Sequence, residues 1–343
     1  MLTGSDTPEH ATTPTRTEGD AMKAIVQDRY GSADVLKLED VERPRIRPDE
    51  VLIRVHAAGV DPSVWHLMTG LPYVVRLGLG LRRPRARVRG LDVAGQIEEV
   101  GADVTALKPG DPVYGSCDGS FAEFAKTRAD KVSPLPANLS FEQAAVVATS
   151  GITALQALRD KGDVRAGQHV LVIGAGGGVG TYAVQLAKAF GARVTGVCGP
   201  TKVDLVQSIG ADEIIDYTRE DFADGARRFD LIIDNAGNRT LSLLRRALSP
   251  RGTVVMVGGE DGGKMLGGLD RLLRGMVMSP FTGRKFKGML AVSRQKDLLA
   301  LTELIEAGQV TPVLERTFTL TEAADAIRYL HAGQVRGKVA IVV

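Results

Sequence analysis

The sequence predicts an α/β protein in which a doubly wound parallel sheet is joined to a second, β-rich part. Between about residues 148 and 286, short apolar segments alternate with segments of helical period, which is typical of a parallel sheet with helices on both faces. Between residues 22 and 136, β-branched residues alternate or cluster between glycine and proline breakers, as strands and turns do. The chain has 343 residues, and at roughly 100–200 residues per domain two domains are expected.

The individual elements follow from the apolar pattern in chain order. In the β-rich part, the clearest predicted strands are KAIVQD, VLIRVHAAGV and VAGQIEEVG. In the α/β part, strands are predicted in VLVIG, RVTGVCG, EIIDY, FDLIIDNAG and GTVVMVGG, and helices in TYAVQLAKAFG and KVDLVQSIGA. After about residue 287, the helices DLLALTELIEAG and EAADAIRYLHAG precede a last strand, KVAIVV. The final segment resembles the first part in texture, and periodicity alone leaves open whether the chain returns to that domain.

The composition excludes several classes of protein. Lys and Arg number 43 and Asp and Glu 41, and the resulting charge of +2 argues against a protein built mainly to hold nucleic acid. Two cysteines, Cys117 and Cys198, are too few for a four-thiolate zinc site or a multi-disulfide framework, so we expect ordinary buried thiols. No uninterrupted run of about 18 apolar residues is present, and no membrane span is predicted.

Residues 1–21 are predicted to form a disordered tail. They are rich in Thr, Pro, Glu, Asp and Gly and carry hardly any large apolar side chains, so they bury too little surface to offset the entropy lost on ordering. A secretory signal needs a basic start and an apolar middle of about 7–15 residues, and this segment has neither. We therefore expect a cytoplasmic protein.

The glycine-rich turn between a strand and a helix in residues 170–197 predicts a bound dinucleotide. Ala175, Gly177 and Gly180 fit the pattern A-x-G-x-x-G. The small first residue permits a tight turn, the second position lets backbone N–H groups approach a diphosphate, and the third lets the helix pack closely on the strand. The start of the helix adds unpaired N–H donors and a partial positive charge. The predicted cofactor contacts in this turn are Ala175, Gly177, Gly178, Val179 and Gly180.

The end of the second strand indicates which dinucleotide is bound. An NAD site usually places Asp or Glu there to accept hydrogen bonds from the ribose hydroxyls. This chain instead continues from Cys198 to Thr201 and Lys202, so no carboxylate repels a 2′-phosphate. Thr201 can donate a hydrogen bond and Lys202 a charge, and a charge-assisted hydrogen bond is worth roughly 1.5–3 kcal/mol. We predict NADPH, the alternative being that Lys202 starts the next helix with its head in solvent.

Several blocks in order carry a family resemblance. They are AAGVDPSVW at 57–65, GLDVAGQIEEVG at 90–101, GDPVYG at 110–115, ATSGITALQAL at 148–158, GAGGGVG at 174–180, GADEIIDY at 210–217, DNAGN at 234–238 and RGKVAIV at 336–342. From about Met22 to Val343 the chain resembles the medium-chain dehydrogenase/reductase superfamily, and within it the zinc-independent quinone oxidoreductase-like branch. The resemblance implies an active site in the cleft between two domains, and a homodimer. The implied domains are a GroES-like β-rich catalytic domain (22–147 and 287–343) and a Rossmann NADP-binding domain (148–286).

The departures from the family pattern bear on the chemistry. Zinc alcohol dehydrogenases of this superfamily carry a Cys near the segment that here reads Asp61 to Trp65, and Gly-His-Glu where this chain has Gly90, Leu91 and Asp92. Without three ligands no catalytic zinc is expected, and no metal site is predicted. Hydride transfer without a metal suits acceptors that are already electrophilic, such as quinones and α,β-unsaturated carbonyls.

The resemblance also implies further site residues. Thr149 and Thr153 lie in the block that approaches the nicotinamide in relatives, and Tyr217, Asn235 and Gly258 lie at or just after strand ends, where a doubly wound sheet places its ligands. The predicted cofactor contacts outside the glycine turn are therefore Thr149, Thr201, Lys202, Tyr217, Asn235 and Gly258, and the predicted catalytic residues are Tyr73, Asp61 and Thr153.

Each catalytic assignment has an alternative. Asp61 replaces a family Asn and could touch the nicotinamide ribose, although a turn-forming role before Pro62 is equally consistent. Tyr73 resembles a tyrosine of the related enoyl reductases and is a candidate proton donor, or a packed loop aromatic. Trp65 and Phe281 could wall an aromatic-substrate pocket or belong to the core.

Two histidines and an arginine-rich segment complete the candidates. His56 is read as a structural histidine, and His66 could face the cleft. Between Arg76 and Arg89 there are six arginines and no acidic residue. This composition indicates a solvated loop or a surface that steers anions. Contact with RNA is a weaker alternative, because the segment lacks the aromatic residues on which bases stack.

The leading functional prediction is an NADPH-dependent, zinc-independent reductase of quinones or activated enones. The alternatives are a 2-enoyl thioester reductase that uses Tyr73 as acid, and a catalytically weak NADPH-binding protein that contacts RNA or a partner through Arg76–Arg89.

Overall fold

The computed structural model describes residues 21–258, 263–268, 271–275, 277 and 283–343. The strands are β1 (Ala21–Val26), β2 (Lys37–Glu42), β3 (Glu50–Val60), β4 (Asp92–Val100), β5 (Pro112–Ser116), β6 (Phe124–Arg128), β7 (Val132–Pro134), β8 (His169–Ile173), β9 (Arg193–Cys198), β10 (Glu213–Asp216), β11 (Phe229–Asp234), β12 (Leu248–Met256), β13 (Lys285–Gly288), β14 (Leu314–Thr319) and β15 (Lys338–Val342). The α-helices are α1 (Pro62–Thr69), α2 (Arg76–Leu79), α3 (Phe141–Ala144), α4 (Ala148–Gln156), α5 (Gly178–Ala189), α6 (Val203–Ser208), α7 (Leu241–Ala247), α8 (Gly263–Leu266), α9 (Gln295–Glu306) and α10 (Ala323–His331). None of these helices is long and apolar enough to cross a membrane. Residues 1–20 of the predicted tail lie outside the described residues, and so does Phe281.

A six-stranded sheet forms the α/β part. Its strand order is β10-β9-β8-β11-β12-β13, and every neighbouring pair is parallel. In the central strands β8 and β11, the apolar residues 170–173 and 231–233 are buried, as expected where both faces of a parallel sheet are covered. The chain order reverses between β8 and β11, and this switch point is where open α/β sheets bind their ligands.

A seven-stranded, largely antiparallel sheet forms the β-rich part. Its path is β14-β15-β3-β4-β5-β7, with β6 paired to β3. The last strand, β15, runs antiparallel to β3, with Ala340 opposite Gly59. The end of the chain therefore returns to the sheet that the beginning of the chain builds. The predicted combination of a GroES-like part and a parallel-sheet Rossmann part is confirmed, whereas the domain boundaries stay a prediction.

Specific hydrogen bonds join the two sheets through helix α5 and the C-terminal segment. The Tyr182 hydroxyl of α5 donates to the Val146 carbonyl at 3.0 Å, and both groups are buried. The Gly337 N–H donates to the Gly176 carbonyl at 3.0 Å. The second bond places the start of β15 directly against the glycine-rich turn.

Helix α1 is positioned by its two ends. The Asp61 carboxylate accepts a hydrogen bond from the Ser63 N–H at 2.8 Å, and Pro62 occupies the first helical position, whose N–H would have no partner in the helix. Gly70 ends the helix with a φ of 62°, a left-handed conformation that favours glycine. These signals aim Trp65 and His66 towards the switch point.

Candidate active site

A cavity of about 820 Å³ lies at the switch point of the parallel sheet. It is bounded by the carboxyl ends of β8, β9 and β11, the turn before α5, the start of α1 and residues 330–338. Its size is within the range of about 300–1,000 Å³ that ligand pockets occupy. We call Thr201, Lys202, Tyr217 and Arg239 the outer end, and Trp65, His66, Ser150 and Lys338 the inner end.

The glycine-rich turn separates the two ends. Gly174 has a φ of 77°, and a Cβ on Gly180 would lie 2.0 Å from the Gly174 carbonyl oxygen, so only glycine allows the helix this close to the turn. Gly177 is the N-cap of α5 and no side chain caps the helix. The N–H groups that begin α5 therefore face the cavity without a side-chain acceptor, which is the arrangement that binds phosphates.

Lys202 at the outer end is held by the C-terminal segment. Its Nζ donates to the Val335 carbonyl at 2.6 Å, and its stem packs on Gly176, where an added Cβ would lie 2.8 Å from the lysine Cβ. Burial lowers the pKa of Lys202. The Lys202 ammonium group is therefore not fully solvated, in contrast to the alternative that the sequence left open. Thr201 and Tyr217 are exposed on the same rim.

Arg239 is an outer-end residue that the sequence did not single out. Its guanidinium lies 5.7 Å from the centre of the Tyr217 ring, and its Nε is buried with no hydrogen-bond partner among the described residues. Its one sequence signal is weak, since it follows the end of β11 by five residues. A cation with an unused donor on the cavity rim can bind an anionic group.

Asp92 lies behind the inner end and is fully buried. Its carboxylate accepts hydrogen bonds from the Thr149 N–H at 3.0 Å and from the Thr149 hydroxyl. Burial raises the pKa of Asp92 to about 7, helped by the charge of Asp61 and opposed by that of Lys338. The charges of Asp61 and Lys338, from two other segments of the chain, therefore act on the buried Asp92 carboxyl group.

Lys338 brings a buried ammonium group to the inner end. The residue is 1% exposed, and its Nζ has no hydrogen-bond partner among the described residues. Its Cδ and the Ser150 hydroxyl both lie against Gly178, 2.8 and 3.1 Å from the position of an added Cβ. The amine therefore sits beside the start of α5.

Aromatic rings form a wall at the inner end. The Trp65 ring stacks on His331 with centroids 3.7 Å apart and planes 10° apart, and both line the cavity. His66 also lines the cavity, with its Nδ1 2.8 Å from the Leu71 carbonyl oxygen. His56 lies elsewhere and stacks on Phe141.

Models of two protein families match the chain. One is described as an alcohol dehydrogenase GroES-like domain and matches residues 47–137, and the other as a zinc-binding dehydrogenase and matches residues 209–341. The chain is 34% identical over 340 residues to the quinone oxidoreductase of Mus musculus, covering 94% of this chain and 98% of that protein. It is 34% identical over 339 residues to the chloroplastic NADPH-dependent alkenal/one oxidoreductase of Arabidopsis thaliana, covering 93% and 79%.

A solved structure gives the same result. The quinone oxidoreductase from Coxiella burnetii superimposes with a TM-score of 0.82 at 30% identity, covering 94% of this chain and 99% of that one. The chain belongs to the medium-chain dehydrogenase/reductase superfamily. It is an oxidoreductase of this superfamily, and the quinone oxidoreductases among its relatives match it over nearly their whole length. The predicted resemblance is confirmed, and the family supports binding of a nicotinamide cofactor.

Two of the predicted catalytic residues are engaged in local structure. Asp61 caps α1 with one carboxylate oxygen, and the other oxygen is buried without a partner among the described residues. The Thr153 hydroxyl donates to the Thr149 carbonyl at 2.6 Å within α4. Neither side chain lines the cavity directly, and their catalytic roles stay predictions.

Two predicted cofactor contacts lie where β11 and β12 end. Asn235 lines the cavity, donates from Nδ2 to the Ile173 carbonyl, and has a buried Oδ1 with no partner within the described part of the chain. A Cβ on Gly258 would lie 2.0 Å from the Asn235 carbonyl oxygen, so this glycine allows the two strand ends to meet. Asn235 thus has an acceptor that is available to a ligand, whereas Gly258 allows the ends of β11 and β12 to approach each other.

Tyr73 and the arginine-rich segment lie away from the cavity. Tyr73 is 44% exposed, and the Arg76 guanidinium lies 4.7 Å from the centre of its ring. Arg87 forms ion pairs with Asp28 and Glu39. Part of the segment is thus engaged within the protein, which leaves less free positive charge for RNA than the sequence suggested.

The residues at the zinc position of this superfamily do not form a zinc ligand set. Leu91 offers no donor, and no group of three or more His, Cys, Asp or Glu side chains that could hold a metal ion occurs in the described ranges. Cys117 and Cys198 are buried thiols, as predicted, and burial raises the pKa of Cys198 to about 11.

Proposed function

We propose that the protein is an NADPH-dependent, zinc-independent oxidoreductase that reduces quinones or other α,β-unsaturated carbonyls. The observation that carries this proposal is the single cavity that runs from the uncapped start of α5 to the wall formed by Trp65 and His331. The turn between the two ends offers backbone donors for phosphates, and the inner end offers the flat Trp65 and His331 rings to a conjugated acceptor.

The residues present suit a nicotinamide dinucleotide. The N–H groups of Gly178, Val179 and Gly180 would hold the diphosphate, and the unpartnered Oδ1 of Asn235 can accept a hydrogen bond at the end of β11. Bound there, the cofactor supplies a hydride to the acceptor. The protein's own contribution is to orient an acceptor against the inner end.

The outer end supports NADPH over NADH. Thr201, Lys202, Tyr217 and Arg239 bring two cations and two hydroxyls to one rim, and the end of β9 carries no carboxylate. The related Arabidopsis enzyme is named as NADPH-dependent. A 2′-phosphate would use the free donor of Arg239 and would compete with the Val335 carbonyl for Lys202.

The inner end supports a conjugated acceptor. Quinones and enones accept hydride without a Lewis acid because their own carbonyls stabilise the developing charge, and one proton from solvent completes the reduction. The stacked Trp65 and His331 rings form a surface on which a flat ring can pack in offset geometry. A zinc ligand set is not required for this chemistry.

The test is NADPH oxidation with an ortho-quinone and with a simple enone, with a metal chelator present and NADH in parallel. We expect turnover that survives the chelator and is faster with NADPH. Tight NADPH binding without turnover of either acceptor would overturn the proposal and favour 2-enoyl thioesters or a binding-only protein. Loss of activity with the chelator would overturn the zinc-independent assignment.

We also propose that the protein is a homodimer, which the family resemblance implies, and that it is located in the cytoplasm, which is the expectation from the sequence. Sedimentation equilibrium at micromolar concentration tests the first point, and a mass of one chain would contradict it. Cell fractionation tests the second, and recovery in an organelle would contradict it.

A further inference from the structure

We infer that an exposed surface formed by residues 77–83 and helix α8 docks on an anionic lipid bilayer. The inference goes beyond the proposed function and does not depend on the reaction that the cavity supports. The surface combines exposed apolar side chains with exposed cations, and we call it the docking surface: Leu77, Leu81, Arg82, Arg83, Met265 and Leu266.

The apolar side chains of the docking surface stand in solvent. Leu77 is 70% exposed, Leu81 is 67% exposed and Met265 is 68% exposed, and Leu266 is also exposed. A single exposed leucine is ordinary on a protein surface, whereas several neighbouring ones indicate an interaction site. These four residues therefore call for a partner.

The two segments of the docking surface are neighbours in space. Gly267 directly follows α8, and a Cβ on Gly267 would lie 2.3 Å from the Pro72 Cγ. Pro72 precedes the single helical turn Tyr73–Val75, which leads into α2. Helix α8 therefore packs against the start of the segment that carries Leu77.

Hydrogen bonds fix the loop that presents the cations. The Arg85 N–H donates to the Leu79 carbonyl at 2.8 Å and closes the loop, so that residues 81–83 stand at its tip. The Tyr30 hydroxyl donates to the Gly80 carbonyl at 2.7 Å and ties the loop to the β-rich part. Because the loop is already ordered, docking costs little conformational entropy.

The charge of the tip is free to act on a partner. Arg82 and Arg83 are exposed, and neither side chain forms a hydrogen bond or ion pair with a described residue. Arg87 differs, since it pairs with Asp28 and Glu39. No acidic residue occurs between positions 71 and 89. The tip therefore complements a negatively charged surface.

A bilayer fits this combination better than a second copy or RNA. Surfaces that bind bilayers place apolar side chains at the acyl boundary and cations among anionic headgroups. A symmetric contact between two copies would bring Arg82 and Arg83 towards their own equivalents, and like charges oppose such a contact. RNA is held through aromatic rings on which bases stack, and Leu77 and Leu81 offer none.

The docking surface also adjoins the segment that leads out of the inner end. His66 lines the cavity, and its Nδ1 lies 2.8 Å from the Leu71 carbonyl oxygen. Leu77 follows Leu71 by six positions. A protein docked in this way holds the inner end near the bilayer, where apolar acceptors dissolve.

The test is co-sedimentation of the protein with vesicles of phosphatidylcholine, with or without one third phosphatidylglycerol. We expect binding to the anionic vesicles that weakens with added salt, because salt screens the attraction between exposed charges. The double variant Leu77→Ser with Leu81→Ser should lower the partition coefficient roughly tenfold or more, since two apolar side chains no longer enter the bilayer. Arg82→Gln with Arg83→Gln should lower it by roughly tenfold or more for anionic vesicles.

The matched control is Lys296→Gln with Leu299→Ser, which removes an exposed cation and an exposed apolar side chain from α9 and should bind as the wild type does. All of these positions are exposed, so we expect unchanged urea midpoints. The arginine variant removes side chains that have no partner among the described residues, and it keeps the test decisive should the leucine variant fail to fold.

The remaining outcomes overturn the inference. Absence of wild-type binding to anionic vesicles would do so, and so would equal binding by the wild type and the variants. Binding of single-stranded RNA without binding of vesicles would assign the surface to RNA instead. A lower sedimentation mass in the leucine variant would make it an interface between copies. Vesicle binding needs neither cofactor nor turnover, so it can fail while quinone reduction succeeds, and the reverse.

Discussion

The two ends of the cavity each hold a lysine, and the two lysines differ in what the fold leaves them to do. At the outer end, Lys202 is half-buried and donates to the Val335 carbonyl. At the inner end, Lys338 is 1% exposed and its amine has no partner among the described residues. The fold thus uses a donor of Lys202 and leaves the buried amine of Lys338 without a partner, a difference that the position of each lysine in the sequence does not reveal.

The glycine-rich turn lies between the outer and inner ends. A substitution that displaces this turn should therefore have the largest effect on cofactor binding. Gly180→Ala places a Cβ 2.0 Å from a backbone carbonyl, and the turn must shift. We expect the dissociation constants of NADPH and NADH to rise together by roughly 10- to 100-fold, the equivalent of the 1–3 kcal/mol that overpacking costs. The control is Gly78→Ala, where nothing lies within 4 Å of the new Cβ. Wild-type affinity in Gly180→Ala would show that the cofactor does not use this turn.

The outer end should discriminate between the two cofactors. Arg239→Met removes a cation with a free donor, and we expect the dissociation constant of NADPH to rise roughly tenfold while that of NADH stays nearly constant. Lys202→Ala should act in the same direction but less, because Lys202 must give up a carbonyl hydrogen bond to reach a phosphate. Arg316→Met, which removes another arginine stacked on an aromatic ring, is the control. Equal losses for NADPH and NADH would remove the outer end from cofactor selection.

The buried carboxyl group of Asp92, next to the inner end, should make the stability of the protein depend on pH. Burial and the charge of Asp61 raise the pKa of Asp92 to about 7, whereas an unfolded Asp titrates near about 4. The folded state therefore binds this proton more tightly, so its contribution to stability is full below pH 4, is lost as pH rises from about 4 to about 7, and is constant above.

The Asp92→Asn variant isolates that contribution. We expect the urea midpoint of the wild type to fall more between pH 5 and pH 8 than that of Asp92→Asn, in the absence of cofactor. Parallel changes in the two proteins would mean that Asp92 is ionised throughout and that Lys338 already neutralises it.

The smallest effect is expected away from both ends. Tyr73 is half exposed beside Arg76 and lies outside the cavity wall. Tyr73→Phe should therefore change the rate of quinone reduction by no more than about twofold, as for a surface substitution. A large loss with enoyl thioesters, with quinone reduction intact, would instead support Tyr73 as a proton donor for that alternative reaction.

The sequence predicts the parallel sheet and the turn well because their signals are local. The alternation around residues 170–197 and the reasons for glycine at Gly177 and Gly180 depend on neighbours within a few positions. Periodicity alone leaves open the return of the last strand to β3, because a strand pattern does not name its partner, and it is the family resemblance that implies this return.

The charged groups at the inner end are not predicted from the sequence, because the contacts that define them are not local. Asp92, Thr149 and Lys338 come from three segments far apart in the chain, and only the packing of the two sheets brings them together. Asp61 shows the converse, because its place in the family pattern suggests a catalytic group or a turn before Pro62, and its observed contact is the cap of α1. A local sequence pattern is enough to predict a site that is built from backbone groups. Buried charges that act on one another can be identified only after the fold has brought their segments together.

The most direct test of the account is a crystal structure of the protein with NADPH bound. We expect the diphosphate against the start of α5 and the 2′-phosphate among Thr201, Lys202 and Arg239. A dinucleotide bound in another place, or a 2′-phosphate that contacts none of these three side chains, would contradict the roles assigned to the turn and to the outer end.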